Sequence, residues 1–341
     1  MITNPLQKAP KRILYAIQGT GNGHVARARE IIPILKKYGT VDIVLSGDQS
    51  HVELPEPVTY FSKGLTFIYN KSGGVSLLKT LLKNNLLKIF NEVRRFPVHE
   101  YDVVINDFEC ITAWACKWQK KTCYGLGHQA SFISEKTPRP TKKQFLGEAI
   151  LKWYAPCTHP VGFHFDTFDK GIFKPVIRSE IRAANIMDNG HYTVYLPAFS
   201  DEKIFEILKE IPQVKWEVFS KRIAKPVQKG HVHFFPVSNS RFIQSFTTCT
   251  GIFTSSGFET PAEALYMGKK VLTIPIKNQY EQYCNASAMS AIGIPVLKAL
   301  SIKTLPQIKE WVQKGFALNI DYPNDTERII EREIMQSAGL V

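Results

Sequence analysis

One stretch sets the pattern of the chain: RILYAIQGTGNGHVARAREIIPILKK, residues 12–37. Arg12–Ile17 is an apolar run that predicts a buried strand, and Gln18–His24 is a glycine-rich turn. Val25–Lys37 has helical periodicity and stops before Gly39, a residue type that commonly ends helices. The stretch is therefore typical of a strand, a turn and a helix in a parallel α/β sheet.

The same alternation of short apolar runs and helical segments continues through both halves of the chain. In the first half the further predicted strands are Val41–Ser46, Val103–Ile105 and Thr122–Gly125. In the second half they are Tyr192–Leu196, Lys215–Phe219, His231–Phe235, Gly251–Thr254 and Val271–Ile274. These patterns predict an α/β fold with two doubly wound, Rossmann-like domains.

A change in composition marks the predicted boundary between the two domains. A chain of 341 residues suits two domains of roughly 150 residues each. Four prolines lie where the composition changes: Pro138, Pro140, Pro156 and Pro160. We therefore predict an N-terminal domain over residues 1–160 and a C-terminal domain over residues 161–322. Residues 323–341, with the charged helical segment Asp325–Gln336, are expected to pack back on the first domain.

The composition excludes several classes of protein. Hydrophobic residues make up 44% of the chain and charged residues 21%, which is enough apolar material for packed cores. The N-terminus lacks the apolar segment of a secretory signal, and no run of roughly 18 apolar residues is present to span a membrane. A cytoplasmic protein is therefore expected. The six cysteines form no Cys-x-x-Cys pair, which argues against a zinc site or a disulfide framework.

The charge balance indicates an anionic partner. Lysine and arginine number 43 against 30 aspartates and glutamates, a formal net charge of +13. Nucleic acid, a phospholipid surface and a phosphorylated small molecule all fit such a surplus. The basic residues are dispersed and no nucleic-acid-binding motif is present, so a nucleic-acid partner is not expected.

The glycine-rich turn Gly19–His24 is the first candidate site. Gly21 and Gly23 let a substrate approach the backbone, and the helix that follows offers unpaired N–H groups to an anion. His24 lies at the carboxyl edge of the predicted sheet, where a histidine is suited to act as a general base near neutral pH. The residues alone leave open whether His24 is a base or a structural residue.

A second candidate site lies in Ser255–Ala286. A predicted strand ends in a Ser-Gly pair, and the helix that follows carries Glu259 and Glu263 one turn apart. The helix N-terminus favours a phosphate, and a carboxylate further along suits ribose hydroxyls. Glu281 and Gln282 open the next helix and are suited to sugar hydroxyls. The alternative is that Glu259 complements the helix dipole and that the other two are solvated.

Three motifs follow one another along the chain. Gly-x-Gly-x-Gly-His near the N-terminus precedes Ser-Gly-x-x-Thr-x-x-Glu-Ala-x-x-x-Gly-Lys, and Pro-x-x-x-x-x-x-Gln-x-x-Asn-Ala comes last. This order resembles glycosyltransferase family 28, the MurG-like enzymes, and is most specific over Thr250–Ile294. The resemblance implies a GT-B fold, in which two Rossmann-like domains face a central cleft. The first domain would bind the acceptor and the second a UDP-sugar.

The resemblance also implies roles for single residues in donor binding. Glu263 corresponds to the ribose-binding carboxylate, and Val237 lies in the expected uracil-contacting loop. Glu281 and Gln282 resemble the pair that contacts the donor sugar. The turn after the first strand of the second domain lacks the family's glycines, so only Ser200 is a candidate phosphate contact there. The expected donor-binding set is Gly21, Gly23, Ser200, Val237, Ser256, Gly257, Thr260, Glu263, Glu281, Gln282 and Asn285.

The resemblance further implies an inverting reaction that needs no metal bound by Asp-x-Asp, and no such motif occurs in the chain. A hexose or N-acetylhexosamine would move from UDP to an acceptor hydroxyl on a lipid-linked molecule or a glycan. We expect His24 to take the proton of this hydroxyl and Asp107 to orient the ring. Glu109 competes with Asp107 for that role, and Asp107 is equally suited to cap the next helix.

Two other functions are compatible with these residues. A UDP-sugar epimerase of the same fold would invert or hydrolyse its substrate without an acceptor. A non-catalytic subunit would bind a nucleotide sugar without turnover. Binding of UDP together with release of UDP in the presence of an acceptor would separate these functions.

A leucine-rich segment with spaced lysines is a candidate membrane contact. Val75–Lys83 and Leu86–Phe90 combine leucines with lysines every four or five residues, a pattern typical of a helix in the interface of an anionic bilayer. Lys142 and Lys143, beside Phe145–Tyr154, form a second candidate. The alternative is that the leucines line the core or close over the acceptor. The membrane interpretation predicts a peripheral protein on the inner face of the cytoplasmic membrane.

Overall fold

Two sheets and the helices around them form the computed structural model, which describes residues 10–47, 54–64, 85–318 and 320–341. The first sheet contains β1 (Arg12–Gln18), β2 (Thr40–Ser46), β3 (Tyr60–Ser62), β4 (Val103–Asp107), β5 (Tyr124–Gly127), β6 (His159–Phe163) and β7 (Ile172–Phe173). The second contains β8 (His191–Tyr195), β9 (Lys215–Ser220), β10 (Val227–Lys229), β11 (Val232–Pro236), β12 (Gly251–Ser255) and β13 (Lys270–Ile274).

The α-helices lie mostly between successive strands. In the first half they are α1 (Asn22–Leu35), α2 (Leu86–Arg95), α3 (Cys110–Gln119), α4 (Phe145–Trp153) and α5 (Ser179–Arg182). In the second half they are α6 (Asp201–Leu208), α7 (Asn239–Thr248), α8 (Glu259–Tyr266), α9 (Tyr280–Ala291), α10 (Leu305–Lys314) and α11 (Thr326–Ile330). Strand and helix therefore alternate as the sequence predicts.

The first sheet is parallel and doubly wound. Its strand order is β3-β2-β1-β4-β5-β6-β7, and each neighbouring pair is parallel. The order reverses between β1 and β4, and ligands of such sheets bind at the carboxyl ends of the strands beside this point. Ile17 of β1 pairs with Asp107 of β4. The glycine-rich turn and Asp107 therefore meet at one edge.

Strand β1 is covered on both faces, as expected for a central parallel strand. Ile13 and Ile17 belong to the same buried cluster as Ile31 of α1. Leu14 belongs to another cluster, together with Ile111 of α3. Alternate side chains of one strand therefore hold the two layers of helices that define a doubly wound domain.

The second sheet has the order β10-β11-β9-β8-β12-β13. Strands β10 and β11 are antiparallel, and the other neighbouring pairs are parallel. The loops at the carboxyl ends of the parallel strands carry three of the predicted donor-binding residues, Ser200, Val237 and Ser256, and Glu281 lies in the first turn of α9, which follows β13. The predicted α/β architecture with two Rossmann-like sheets is confirmed.

The first sheet extends further along the chain than the sequence indicates. Strand β6 runs through residue 160, and β7 ends at Phe173. The second sheet begins with β8 at His191. The domain boundary predicted at residue 160 therefore falls within β6, because the prolines on which it was placed flank α4 and open β6 instead of linking the domains.

The C-terminal tail contacts the first domain. Helix α11 continues into a π-helical turn, Glu331–Met335. Ile330 and Ile334 lie in the buried cluster that contains the core residues of β1 and α1. At the surface, Lys37 Nζ lies 2.6 Å from Glu327 Oε2. The tail thus contributes both apolar and polar contacts to the outer side of α1.

None of the helices in the described ranges is long and apolar enough to cross a membrane. The segment Val75–Lys83 lies outside the described residues. The second part of the leucine-rich run forms the beginning of α2, whose Asn85 side chain caps it by accepting a hydrogen bond from Lys88 N at 3.0 Å.

Candidate active site

His24 and Asp107 form a hydrogen-bonded pair at the edge of the first sheet. Helix α1 begins at Asn22, so His24 lies in its first turn and not in the loop before it. Gly21 precedes the helix with φ of 130°, a conformation that glycine adopts readily. His24 Nδ1 lies 2.9 Å from Asp107 Oδ1. The predicted partners are thus brought together by the ends of β1 and β4.

Arg27 joins this pair and was not among the predicted residues. It is buried one turn after His24 on α1. Its Nε donates to Asp107 Oδ2 at 3.0 Å and its Nη2 donates to Asp107 Oδ1 at 2.8 Å. The third nitrogen, Nη1, forms an ion pair with Glu259 of the second domain. The signal in the sequence was the spacing of three residues from His24, which places both side chains on one face of a helix.

The charges around this site perturb one another. Burial acts to raise the pKa of Asp107, but Arg27 and His24 outweigh it, so its pKa lies below the usual value. Burial acts to lower the pKa of Arg27, and the two carboxylates raise it overall. Burial raises the pKa of Glu259 despite the neighbouring Arg27. Asp107 is therefore ionised at neutral pH and firmly held.

Glu109 has a different role from Asp107. Its carboxylate caps α3 by accepting from Ile111 N and Thr112 N, both at 2.7 Å. It also accepts from the hydroxyls of Thr112 and Ser46, both at 2.6 Å. With these four contacts Glu109 faces away from His24. The structure thus resolves the alternatives left by the sequence: Asp107 partners His24, and Glu109 caps the helix.

Phe108 occupies the position between these two carboxylates in an unusual conformation. Its φ is 58°, in the left-handed region that bulky residues seldom adopt. The ring lies parallel to the His24 ring, with centroids 6.4 Å apart. Such strain persists where the surrounding structure holds it, and it is common at functional sites. The left-handed turn separates the directions of Asp107 and Glu109.

The start of α8 lies against the glycine-rich turn. A Cβ on Gly23 would lie 3.3 Å from Glu259 Cδ, so the absence of a side chain makes room for this carboxylate. Gly257 faces open space, and Thr260 is in the first turn of the helix. Ser256 is fully buried and its hydroxyl has no hydrogen-bond partner in the described structure.

Glu263 is engaged by an arginine. Arg178, just before α5, donates through Nη2 to Glu263 Oε2 at 2.7 Å and through Nε to the other oxygen. Burial raises the pKa of Glu263, and Arg178 opposes this effect. The predicted ribose carboxylate is therefore buried and ion-paired, and a ribose here would share it with Arg178.

The first two turns of α9 contact the first domain. Gln129 Nε2 donates to Glu281 Oε2 at 3.1 Å. His128 Nε2 lies 2.8 Å from the buried Asn285 Oδ1. The His128 ring also stacks on Phe258 with centroids 3.9 Å apart. Two of the predicted donor-binding residues, Glu281 and Asn285, thus meet side chains of the segment that follows β5.

Three other predicted residues have local roles in this structure. Gln282 Oε1 accepts from Ile276 N at 2.9 Å. Ser200 caps α6 by accepting from Lys203 N at 3.3 Å. Val237 is 41% exposed just after β11. Among the described residues, Ser200 and Val237 make no contact with the pairs centred on His24 or Glu263.

A cavity opens beside Asp107 in the first domain. Its lining is mostly apolar and includes Phe108, Ile133 and Leu151. Gln129 also lines it, and its buried Oε1 has no hydrogen-bond partner in the described structure. In the part of the chain that the structure describes, no three His, Cys, Asp or Glu side chains converge as metal ligands.

The chain matches one family model over most of its length. This model, described as Glycosyl transferase family 1, matches residues 11–313. No curated protein matches the sequence.

Similar solved structures span nearly the whole chain at low identity. MurG of Acinetobacter baumannii has a TM-score of 0.53 and 12% identity, covering 89% of this chain and 91% of that one. The glycosyltransferase of kitacinnamycin has a TM-score of 0.58 and 13% identity, covering 97% and 98%. UGT2 of Phytolacca americana, complexed with UDP-2-fluoro-glucose and pterostilbene, has a TM-score of 0.54 and 13% identity, covering 98% and 93%. The protein therefore belongs to glycosyl transferase family 1 and is a glycosyltransferase of the GT-B fold, which confirms the MurG-like architecture expected from its motifs.

Proposed function

We propose that the protein is an inverting glycosyltransferase that moves a hexose or N-acetylhexosamine from a UDP-sugar to an acceptor hydroxyl, with His24 as the general base. One observation carries this proposal: His24 Nδ1 lies 2.9 Å from the buried Asp107 carboxylate. In addition, His24 Nε2 makes no hydrogen bond to any described residue. This geometry is what a base needs to receive a proton from substrate.

The proposed reaction follows from the chemistry of this pair. The ionised Asp107 accepts a hydrogen bond from Nδ1–H, which leaves the Nε2 lone pair free. The acceptor oxygen attacks the anomeric carbon while its proton moves to Nε2. The bond from the anomeric carbon to the diphosphate oxygen breaks, and UDP leaves with the electron pair. A single displacement of this kind inverts the anomeric configuration.

The second domain is the proposed donor site. The N–H groups at the start of α8 are suited to the diphosphate of the donor, and Ser256, Gly257 and Thr260 are the proposed contacts. This arrangement stabilises the leaving group without a metal ion. The UDP-2-fluoro-glucose bound by the Phytolacca americana enzyme supports a UDP donor. A similar structure, the glycosyltransferase VinC, is a complex with dTDP (TM-score 0.50, 12% identity, covering 89% of this chain and 92% of that one), so dTDP-sugars belong in the same test.

We also propose that a face of the first domain, made by α2, α3 and α4, docks on an anionic membrane and that the acceptor is lipid-linked. The ring of Phe90 meets Trp118 edge to face, with centroids 5.5 Å apart. Lys117 Nζ lies 4.8 Å from the ring centroid of Trp114 and 4.9 Å from that of Trp153. Exposed tryptophans beside lysines suit the interface of a bilayer with anionic headgroups.

The base assignment is tested by UDP release. The donor is first identified by thermal shift with UDP-glucose, UDP-galactose, UDP-GlcNAc and dTDP-glucose, since a specific ligand stabilises the folded state. Hydroxyl acceptors, including polyprenyl-linked saccharides, are then screened with that donor. We expect His24→Ala to lower turnover by about 10²–10⁴-fold, with unchanged donor binding.

The matched control is His159→Ala, which removes an exposed histidine from the start of β6. Turnover of His24→Ala close to that of the parent would refute the assignment of the base. Release of UDP and free sugar without any acceptor would instead indicate hydrolysis or epimerisation.

A further inference from the structure

We propose that Glu259 is a positioning residue for glycosyl transfer: through Arg27 it raises the proton affinity of His24 and so couples the base of the first domain to helix α8 of the second. The inference rests on the proposed function only in taking His24 as the base. Glu259 lies outside the set expected to bind the donor.

The coupling rests on a continuous chain of contacts. Glu259 pairs with Arg27 Nη1, and the remaining nitrogens of Arg27 hold both oxygens of Asp107. Asp107 Oδ1 is also the oxygen that contacts His24 Nδ1. Arg27 Nη2 itself lies 3.2 Å from the same ring nitrogen. The charge of Glu259 therefore acts on the His24 ring through a single guanidinium group, that of Arg27.

Burial makes this contact chain electrostatically strong. The side chain of Arg27 is 3% exposed and that of Asp107 is 1% exposed. Charges in such surroundings are poorly screened by water, so a neighbouring charge has a larger effect than at the surface. The Glu259 carboxylate lies against Gly23, where a Cβ would be 3.3 Å from its Cδ.

The charge count determines the direction of the effect. Two carboxylates and one guanidinium leave one negative charge beside a neutral His24, and protonation of the ring brings the cluster to neutrality. Without the charge of Glu259, the guanidinium would balance Asp107 alone, and a protonated ring would add an uncompensated positive charge. Glu259 therefore favours the imidazolium that forms when the acceptor hydroxyl loses its proton.

Other charged or titratable groups pack around this cluster and do not change the direction in which Glu259 affects His24. Tyr15 of β1 lies near Asp107 and Arg27, and burial raises its pKa well above the usual value, so it is neutral. Glu263, one turn after Glu259, is paired with Arg178. Apart from Asp107, Glu259 is thus the carboxylate that pairs with Arg27 in the described structure.

The test is a direct titration of the His24 ring. The full-length protein with ¹⁵N-labelled histidine is titrated by NMR, and the His24→Gln variant identifies the His24 signals among the nine histidines. Glu259→Gln keeps an oxygen for Arg27 and removes the charge. We expect it to lower the proton affinity of His24 about tenfold, which moves its titration to lower pH by about one unit.

Glu327→Gln is the matched control, because it removes a carboxylate that pairs with Lys37 at the surface of the tail. An equal His24 titration in Glu259→Gln and Glu327→Gln would overturn the inference. If Glu259→Gln does not fold, Glu259→Asp withdraws the carboxylate from Arg27, and a smaller shift in the same direction is expected. An unchanged titration in that variant would likewise overturn it.

Activity provides a second readout. Because the base acts unprotonated, the acidic limb of kcat/KM moves to lower pH in Glu259→Gln, whereas a merely structural role would lower kcat/KM at every pH alike. The titration needs no substrate, so the assignment of His24 as the base and the role of Glu259 can be refuted independently. Full turnover in His24→Ala would refute the base, and an unmoved His24 titration would refute the role of Glu259.

Discussion

Asp107 and Glu109 lie two residues apart, yet their carboxylates serve different partners. The sequence places both at the carboxyl end of a strand, where the ligand-binding edge was expected. It does not show which of them faces His24, because this depends on the left-handed Phe108 between them. Bulky residues seldom adopt that conformation, so no local pattern predicts it. The residue types of the site and the pairing of His24 with Asp107 were predictable, but the choice between Asp107 and Glu109 was left open.

The site also depends on the absence of a side chain at Gly127. A Cβ at this position would lie 3.0 Å from Asp107 Cγ and 3.3 Å from Arg27 Nη2. We expect Gly127→Ala to displace the carboxylate and lower turnover at least about tenfold, because small misplacements of catalytic groups reduce rates strongly. Overpacking should also cost about 1–3 kcal/mol in the free energy of unfolding. Turnover and urea unfolding of the purified variant measure the two effects.

A control for this variant lies two residues earlier on the same strand. A Cβ on Gly125 would lie 3.0 Å from Cys157 Cβ, in the segment between α4 and β6. Gly125→Ala should therefore destabilise the protein similarly and lower turnover less. Equal loss of turnover in the two variants would mean that overpacking of β5, and not displacement of Asp107, is responsible.

The helices and strands were the most predictable part of this molecule, although the residues at which they begin and end were predicted less accurately. The sequence predicted a helix from Val25, whereas α1 begins at Asn22. This small difference hid Arg27, since its relation to His24 is apparent only when both residues lie in the helix. The spacing of apolar residues defines the middle of a helix, but its first turn depends on the tertiary contacts that hold it.

Helices α4 and α9 pack so closely that helix propensity and packing predict opposite effects of one substitution. Gly147 lies within α4, and a Cβ there would lie 2.6 Å from Tyr280 Cβ at the start of α9. Alanine favours a helix over glycine by about 1 kcal/mol. The clash should outweigh this gain, so we expect Gly147→Ala to lower the free energy of unfolding by about 1–3 kcal/mol. Urea unfolding of the variant shows whether the free energy of unfolding rises or falls.

The contribution of the Tyr280 side chain is isolated by a second background. Tyr280→Gly removes the ring together with the Cβ that would lie 2.6 Å away, so Gly147→Ala should become stabilising there by about 1 kcal/mol. A destabilising effect of the same size in both backgrounds would show that Tyr280 is not the obstacle. The affinity of Gly147→Ala for the donor would show whether the clash also displaces α9, because this helix carries Glu281 and Asn285.

At the scale of the whole molecule, the contacts between the domains were the least predictable part. Arg27 and Glu259 are 232 residues apart in sequence, and His128 and Asn285 are 157 apart. No local periodicity in the sequence indicates such pairs, because each residue fits the hydrophobic pattern of its own segment of the chain. The alternation of strands and helices therefore predicted two domains, and the motifs predicted their fold, without indicating which side chains meet between them.

The net charge of +13 also belongs to this scale, because dispersed charges act together on a partner surface. The face made by α2, α3 and α4 exposes large apolar side chains: Leu87, Phe90, Trp114, Phe145 and Trp153 are all solvent-accessible, and Trp118 is 58% exposed. Lys88, Lys117 and Lys152 lie on the same three helices. Exposed apolar side chains on the same helices as lysines are typical of surfaces that bind anionic bilayers.

We therefore expect the protein to bind vesicles that contain phosphatidylglycerol and not vesicles of phosphatidylcholine alone. Each lysine near an anionic surface contributes about 1 kcal/mol, so replacing Lys88, Lys117 and Lys152 with glutamate should weaken binding at least about a hundredfold in a sedimentation assay. The matched control replaces Lys298, Lys303 and Lys314 of the second domain, which changes the net charge equally. Equal weakening in both triple variants would show that overall charge and not this face is responsible, and no binding by the parent protein would refute docking altogether.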